Sequence, residues 1–334
     1  MDYSQYPRND ILCIDIRSFY ASVEALKLGL DPMKEMVAVV GDPNRSGSIV
    51  LAASPMLKQT HGISNVSRFF DLPDDPEIYI VQAHMQDYLD VSIEITKLLY
   101  KYAPKEAIHT YSVDEMWITT NGLEQLFGNR LEVAQRIKEE ILHCFGLTCS
   151  IGIGDNKFLA KVVMDLHAKK KGIAECTYED VPALLWPSPI QKIWGIGSRM
   201  TRNLNNLGMY TLKDLAMYDK EKLKDIYGVM GEQLYWHAWG VDLSPVFGDF
   251  IHTERKSFSN GITLLRDYTF ADVKICMLDL VEEVCWRARS KHMSGRTISV
   301  SIGYSEDRGG FSRSTSINTH TNSTRDMYEQ CLKL

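Results

Sequence analysis

The chain has no long apolar run, no paired cysteines and no low-complexity tract, and each absence removes a class of protein. No stretch of its 334 residues approaches the roughly 20 apolar residues that cross a bilayer. The opening MDYSQYPRND has neither the basic region nor the apolar run of a signal peptide. A cytoplasmic location with no membrane partner is the expectation. The cysteines, at 13, 144, 149, 176, 276, 285 and 331, are odd in number and none forms a C-x-x-C pair. That removes a disulfide framework and a thiolate zinc site, leaving reduced thiols. The chain also lacks an overall basic charge: its net charge is −6. The deficit is uneven, however. Residues 1–155 carry −9 and residues 156–334 carry +3, with clusters in NKFLAKVVMDLHAKKKG (156–172) and RARSKHMSGR (287–296). Local patches of this kind permit a polyanionic partner without requiring one.

What is present reads as alternating strands and helices up to about residue 175. ILCIDI (11–16) is a buried strand by its apolar run. FYASVEALKLGL follows with helical spacing, Ser18 standing where a cap would. MVAVVG and SIVLAAS flank a turn, and PMLKQTHG continues as helix. PEIYIVQA, TYSVDEMWITT and LTCSIGIG read as further strands. MQDYLDVSIEITKLLYKYA, RLEVAQRIKEEILHCFG and NKFLAKVVMDLHAKK read as amphipathic helices. Residues 177–240 hold only short helices, and after GVDLSPVFGDF (240–250) strands return, most clearly in RTISVSIGYS (296–305). The pattern predicts an α+β chain of several domains.

Asp114 and Glu115 sit side by side in the middle of a half-buried strand pattern. Neighbouring anions repel, and burying either unpaired is costly. A solvated bulge explains the pair as well as a metal site does. Asp15, leaving the first strand just before a helix, is by itself a helix-entry acid. Taken together, three carboxylates from two adjacent strands offer the hard oxygen donors that divalent cations such as Mg²⁺ require.

IDIRSFYASVEA, YSVDE, SIGIGDNKFLAK and KIWGIG occur in that order, and their spacings resemble those of the Y-family translesion DNA polymerases. The similarity is closest to the UmuC/DinB-like (ImpB/MucB/SamB-type) branch of Gram-positive bacteria. It spans nearly the whole chain. The resemblance implies a right-hand polymerase: a ferredoxin-like palm (1–18 and 83–176), small fingers (19–82), a helical thumb with a helix-hairpin-helix (177–241) and an α/β little finger (250–334). It implies template-directed, low-fidelity synthesis past damaged bases, with primer-template DNA and dNTPs as partners. The chain would act as a monomer in a DNA-damage response.

By the same resemblance two Mg²⁺ ions are held by Asp15, Asp114, Glu115 and the Ile16 carbonyl, and the primer 3′-hydroxyl attacks the dNTP α-phosphate there. Backbone N–H groups at Ser18, Phe19 and Tyr20 would cradle the triphosphate, and Tyr20 would collide with a ribose 2′-hydroxyl. The family commonly has Tyr-x-x-Arg on the helix after the second fingers strand; here Pro55 replaces the Tyr and Lys58 the Arg. A second cation comes from the end of the later helix. One residue more than the common D-x-x-K spacing makes Lys169 the best match, with Lys170 the alternative. Gly195 and Gly197 would let the thumb hairpin approach a phosphate, and Arg287, Arg289, Lys291 and Arg296 would contact the DNA backbone. The chain stops at MYEQCLKL, short of the closing strand and clamp-binding tail of longer members. An incomplete little finger is therefore expected, with any sliding-clamp contact lying in an absent segment. Two rivals are weaker. A catalytically silent assembly factor would have lost a metal acid, and a palm-fold nucleotide cyclase would need neither the thumb hairpin nor a basic C-terminal domain.

Overall fold

A computed structural model describes residues 1–65, 67–246, 256–264, 266–305 and 308–334. The end of the 240–250 connection and the first residues of the expected little finger therefore lie outside the described residues. The chain divides into two compact units, Met1–Phe250 and Ile251–Leu334.

The first unit is built on a five-stranded sheet. β1 (Ile11–Ile16) is central; β2 (Met36–Val40), β3 (Val50–Ala53) and β4 (Ile78–Gln82) belong to a second sheet; β5 (Ile108–Thr110), β6 (Glu115–Thr119), β7 (Cys149–Gly154) and β8 (Ile173–Cys176) complete the first. The strand order is β5-β6-β1-β7-β8, with β1 antiparallel to both neighbours and β8 parallel to β7. The strand expected over 110–120 is thus two strands joined by a turn, and Asp114 stands just outside the ladder.

Alternation sorts the two faces of this sheet. Leu12, Ile14, Ile16, Met116 and Ile118 turn into one core, beneath helices α1 (Phe19–Lys27), α3 (Met85–Leu99) and α5 (Arg130–Phe145). Between α1 and α3 lies α2 (Pro55–His61), against the second sheet, and a short α4 (Glu124–Phe127) precedes α5. Cys13, Trp117 and the acids Asp15 and Glu115 take the opposite face, because their positions alternate with the first set. This second face is covered by α6 (Lys157–Val163). Gly152 and Gly154 permit the close approach: a Cβ on Gly152 would lie 2.0 Å from the Ala160 carbonyl oxygen.

The helix expected over 156–170 is not uniform. After α6 comes one π turn, Met164–Ala168, before α7 (Lys169–Lys171). The wide turn accommodates one extra residue without ending the helix, a device that recurs at functional sites. Further on, α8 (Val181–Leu184), α9 (Ser198–Asn206), α10 (Leu212–Ala216), α11 (Lys220–Tyr227) and α12 (Val229–Ala238) enclose a second apolar core. Short helices were expected there, and they form.

In the second unit α13 (Phe270–Ser290) precedes a hairpin of β9 (Gly295–Gly303) and β10 (Gly310–Thr321), followed by α14 (Thr324–Cys331). Thr269 caps α13 with a reciprocal bond to Asp272, the capping box its sequence allows.

Candidate active site

The register of β1 on β6 sets Asp15 directly opposite Glu115, so both carboxylates emerge on the face beneath α6. Asp114 reaches the same place from the turn, where its backbone carbonyl accepts the Ile16 N–H at 2.9 Å. The Ser112 hydroxyl donates to Asp114 Oδ1 at 2.6 Å and fixes that carboxylate.

A ladder of alternating charge runs along the helix above them. Lys161 Nζ lies 2.5 Å from Glu115 Oε2 and 3.2 Å from Asp165 Oδ2. Lys169 Nζ lies 2.7 Å from Asp165 Oδ1 and 3.6 Å from Asp15 Oδ2. Lys161, Asp165 and Lys169 stand four apart, the spacing that sets side chains on one side of a helix, and the π turn takes up the extra residue noted in the sequence, so that Lys169 still reaches Asp15. Arg17 locks the helix end by donating to the Lys169 carbonyl. Lys169, not Lys170, lines the cleft.

Burial pushes the Asp15 carboxyl up to about 6, against the pull of Lys169 and Lys161 and with some help from Asp114 and Glu115. Lys161 is held above the ordinary lysine value. Burial works against its charge, but the Glu115 hydrogen bond and the surrounding acids outweigh it. Lys58 moves down through burial and the nearby Lys169 charge, with Asp15 opposing.

Asp15, Asp114, Lys58 and Lys169 face a cleft of about 580 Å³ that Ser18 and Tyr20 also line, while Glu115 and Lys161 stay beneath the helix. Ile16 and Phe19 line it too, although both are buried and Phe19 chiefly fills the core. Ser18 departs from expectation. It precedes α1 in the left-handed conformation (φ 45, ψ 46) and makes no side-chain cap. Its hydroxyl instead accepts from Lys58 Nζ at 3.0 Å, so the serine orients a cation. Lys58 is carried by α2, whose start is fixed by Ser54 accepting from Leu57 N–H at 3.3 Å. Pro55 occupies the first turn of that helix, where its missing N–H costs nothing, and also lines the cleft.

Gly195 has φ +88, and Gly197 is the cap position just before α9; a Cβ on either would meet nothing within 4 Å. Gly197 therefore has no packing reason to be glycine.

In the second unit, Arg287 pairs with Glu283 at 2.7 Å, and Arg289 pairs with Glu282 and donates to the Asn322 carbonyl. Both thus do internal work, tying α13 to its surroundings, while Lys291 and Arg296 are exposed. One feature of this hairpin was not foreseen. Thr297, Ser299 and Ser301 bond across to Ser316, Ser314 and Ser312 at 3.0, 2.9 and 2.8 Å, a continuous hydroxyl ladder on one face.

The profile described as impB/mucB/samB family matches residues 14–165, its C-terminal domain matches 255–334, and the IMS family HHH motif matches 178–209. The chain belongs to the impB/mucB/samB family. Its relatives include the UvrX protein of Bacillus subtilis (strain 168), named for UV-damage repair. That match is 48% identical over 340 residues, covering 100% of this chain and 80% of UvrX. A protein named DNA polymerase IV 2 from the same organism is 39% identical, covering 97% of this chain and 79% of its own length. Among solved structures, a Y-family DNA polymerase chimera, Dbh-Dpo4(243-245)-Dbh, superposes with a TM-score of 0.75 at 25% identity, over 97% of this chain and 92% of that one. The impB/mucB/samB sequence thus takes the right-hand, Y-family polymerase fold, and the UmuC/DinB resemblance read from its motifs holds. No helix among the described residues is long and apolar enough to cross a membrane.

Lys161 and Asp165 are members of the cluster that sequence reasoning missed. The signal was available: Lys161, Asp165 and Lys169 are spaced four apart on the helix after the glycine-bearing strand.

Proposed function

We propose that the chain is a template-directed, low-fidelity DNA polymerase for translesion synthesis, joining a dNTP to a primer 3′-hydroxyl at Asp15, Asp114 and Glu115. One observation carries the reading: two carboxylates, Asp15 and Asp114, and two cations, Lys58 and Lys169, line one cleft beside an aromatic ring, Tyr20, with Glu115 directly opposite Asp15 in the strand register.

The donor set suits Mg²⁺. It consists of hard carboxylate oxygens, and burial leaves Asp15 short of compensating positive charge, as its raised pKa reflects. Asp15, Asp114 and the Ile16 carbonyl would hold two ions, with Glu115 joining them on exchanging Lys161. When bound, such ions supply the charge that favours a deprotonated 3′-hydroxyl and stabilises the departing pyrophosphate.

The protein's own groups do the rest. Lys58 and Lys169 face the triphosphate, and the start of α1 presents Ser18–Tyr20 N–H groups to it. The primer oxygen forms a bond to the α-phosphorus, the bond to the β-bridging oxygen breaks, and pyrophosphate leaves. Tyr20 bars a 2′-hydroxyl. The palm (1–18 and 83–176), fingers (19–82), thumb (177–241) and little finger (250–334) supply the grip. Gly195 and Gly197 meet phosphates in the thumb, and the exposed Lys291, Arg296 and hydroxyl ladder meet them in the little finger.

The decisive test is primer extension on undamaged and abasic templates with Mg²⁺, comparing dNTPs with rNTPs and the native chain with Asp114→Ala. Extension with dNTPs that vanishes in the variant is expected. Binding to primed DNA without extension would favour a silent assembly factor instead.

A further inference from the structure

We infer that Tyr88 and Glu24 form a specificity-determining brace behind Tyr20, keeping its ring from yielding to a ribose 2′-hydroxyl. The inference rests on the reading of Tyr20 as the residue beneath the incoming sugar.

Tyr20 borders the cleft with one part of its ring and stacks on Tyr88 with a face, the centroids 4.3 Å apart and the planes 15° from parallel. Tyr88 is fully buried. Its hydroxyl donates to Glu24 Oε1 at 2.7 Å and accepts the His84 backbone N–H at 3.1 Å. Glu24 is itself only 2% exposed, so its charge needs local compensation. Lys27 Nζ provides it, 3.2 Å from Glu24 Oε2, with His84 Nδ1 2.9 Å from Oε1. Lys27 also stands 2.5 Å from Asp87 Oδ2, so the Glu24–His84–Asp87 group already carries a cation of its own.

The mechanical consequence follows from what a steric filter is. It discriminates only by the free energy needed to push the obstructing group aside, and an unsupported ring yields by a small rotation. Tyr20 cannot retreat toward Tyr88 without compressing a stacked pair, and Tyr88 cannot retreat because both its ring and its hydroxyl are fixed in a packed core. Glu24 and Tyr88 touch neither substrate nor metal acids on this reading; they are positioning residues. Glu24 lies in the same helix as Tyr20 and Tyr88 in the helix packed against it, so the brace and the ring share one packed core.

The test is kcat/KM for a dNTP and its matching rNTP on primed template, using the full chain and its Tyr20→Ala, Tyr88→Leu and Tyr88→Phe variants. Tyr20→Ala is expected to abolish most of the preference for dNTP. Tyr88→Leu should lower the dNTP/rNTP ratio about tenfold, chiefly by raising rNTP use, with dNTP use within about threefold of native. Tyr88→Phe keeps the stacked ring and loses the tether, and should lower the ratio about threefold. An unchanged ratio in Tyr88→Leu, or equal losses with both substrates, overturns the brace while leaving the Tyr20 reading intact. An unchanged ratio in Tyr20→Ala overturns both. Should Tyr88→Leu fail to fold, Tyr88→Phe decides: a native ratio there overturns the proposal.

Discussion

Lys161 and Glu115 form an ion pair at 2.5 Å in which the lysine side chain is 7% exposed and the glutamate 9%. The adjacency of Asp114 and Glu115 is resolved by this pair. One acid stays at the cleft and the other turns under the helix to a lysine from α6, with the Cys13 thiol as a further donor at 3.6 Å.

Removing the lysine alone should therefore be worse than removing both charges. Lys161→Met is expected to cost about 3–5 kcal/mol, because it strands a buried carboxylate. Lys161→Met combined with Glu115→Gln should recover most of that loss. Urea unfolding of the two variants checks this, and equal stabilities would show that the pair is not coupled.

Asp15 makes the metal-free fold pH-dependent. Its carboxyl is raised to about 6, so the folded state holds that proton more tightly than the unfolded chain does. The associated stability is complete below the unfolded value near 4 and is lost as pH rises through about 6. Asp15→Asn has no proton to lose. In chelating buffer the variant should gain about 2–3 kcal/mol over the native chain between pH 4 and 7, and the gap should level off above that. A gap that is constant over pH 4–8 contradicts the assignment.

The two lysines at the helix end should separate cleanly. Lys169 lies 3.6 Å from Asp15 in the cleft, whereas Lys170 does not line it. Lys169→Ala is expected to raise the KM for dNTP about tenfold, with Lys170→Ala within about twofold of native. Steady-state extension with each variant decides, and the reverse ranking would place the wrong lysine on the triphosphate.

Glycines 152 and 197 carry opposite expectations. An alanine Cβ at Gly152 would collide with the backbone of α6, so Gly152→Ala should cost at least about 3 kcal/mol. Gly197→Ala meets nothing and should change stability by no more than about 1 kcal/mol. If the thumb hairpin contacts phosphate through its backbone, the same change should weaken primed-DNA binding by about fivefold or more. Thermal melts paired with a DNA titration separate the two effects.

Much of this architecture is legible in the sequence. Apolar runs identified β1 and β7, which are buried on both faces, and alternation identified β6 and β9, the latter with one face drier than the other. The acids could be grouped because motif order already placed Asp15 and Asp114–Glu115 on neighbouring strands. What escaped was whatever depends on a partner remote in sequence. Ser18 looked like a cap, since its residue type favours one, but contact with Lys58 from α2 drew its hydroxyl away. Lys161 looked like any helical lysine until a strand 46 residues earlier supplied its carboxylate. The pairing of Arg287 with Glu283 and of Arg289 with Glu282 along α13 was likewise not read from the sequence, where both arginines figured only as DNA-backbone contacts implied by the resemblance.

The π turn at Met164–Ala168 bears on how such chains drift apart. A helix that absorbs an inserted residue as local widening lets its charged rungs survive a length change that would scramble them in a strictly regular helix. Counting positions between Asp165 and the next lysine is then a poor guide to equivalence between relatives. A gene could gain or lose a codon in this stretch and still deliver an ammonium to Asp15.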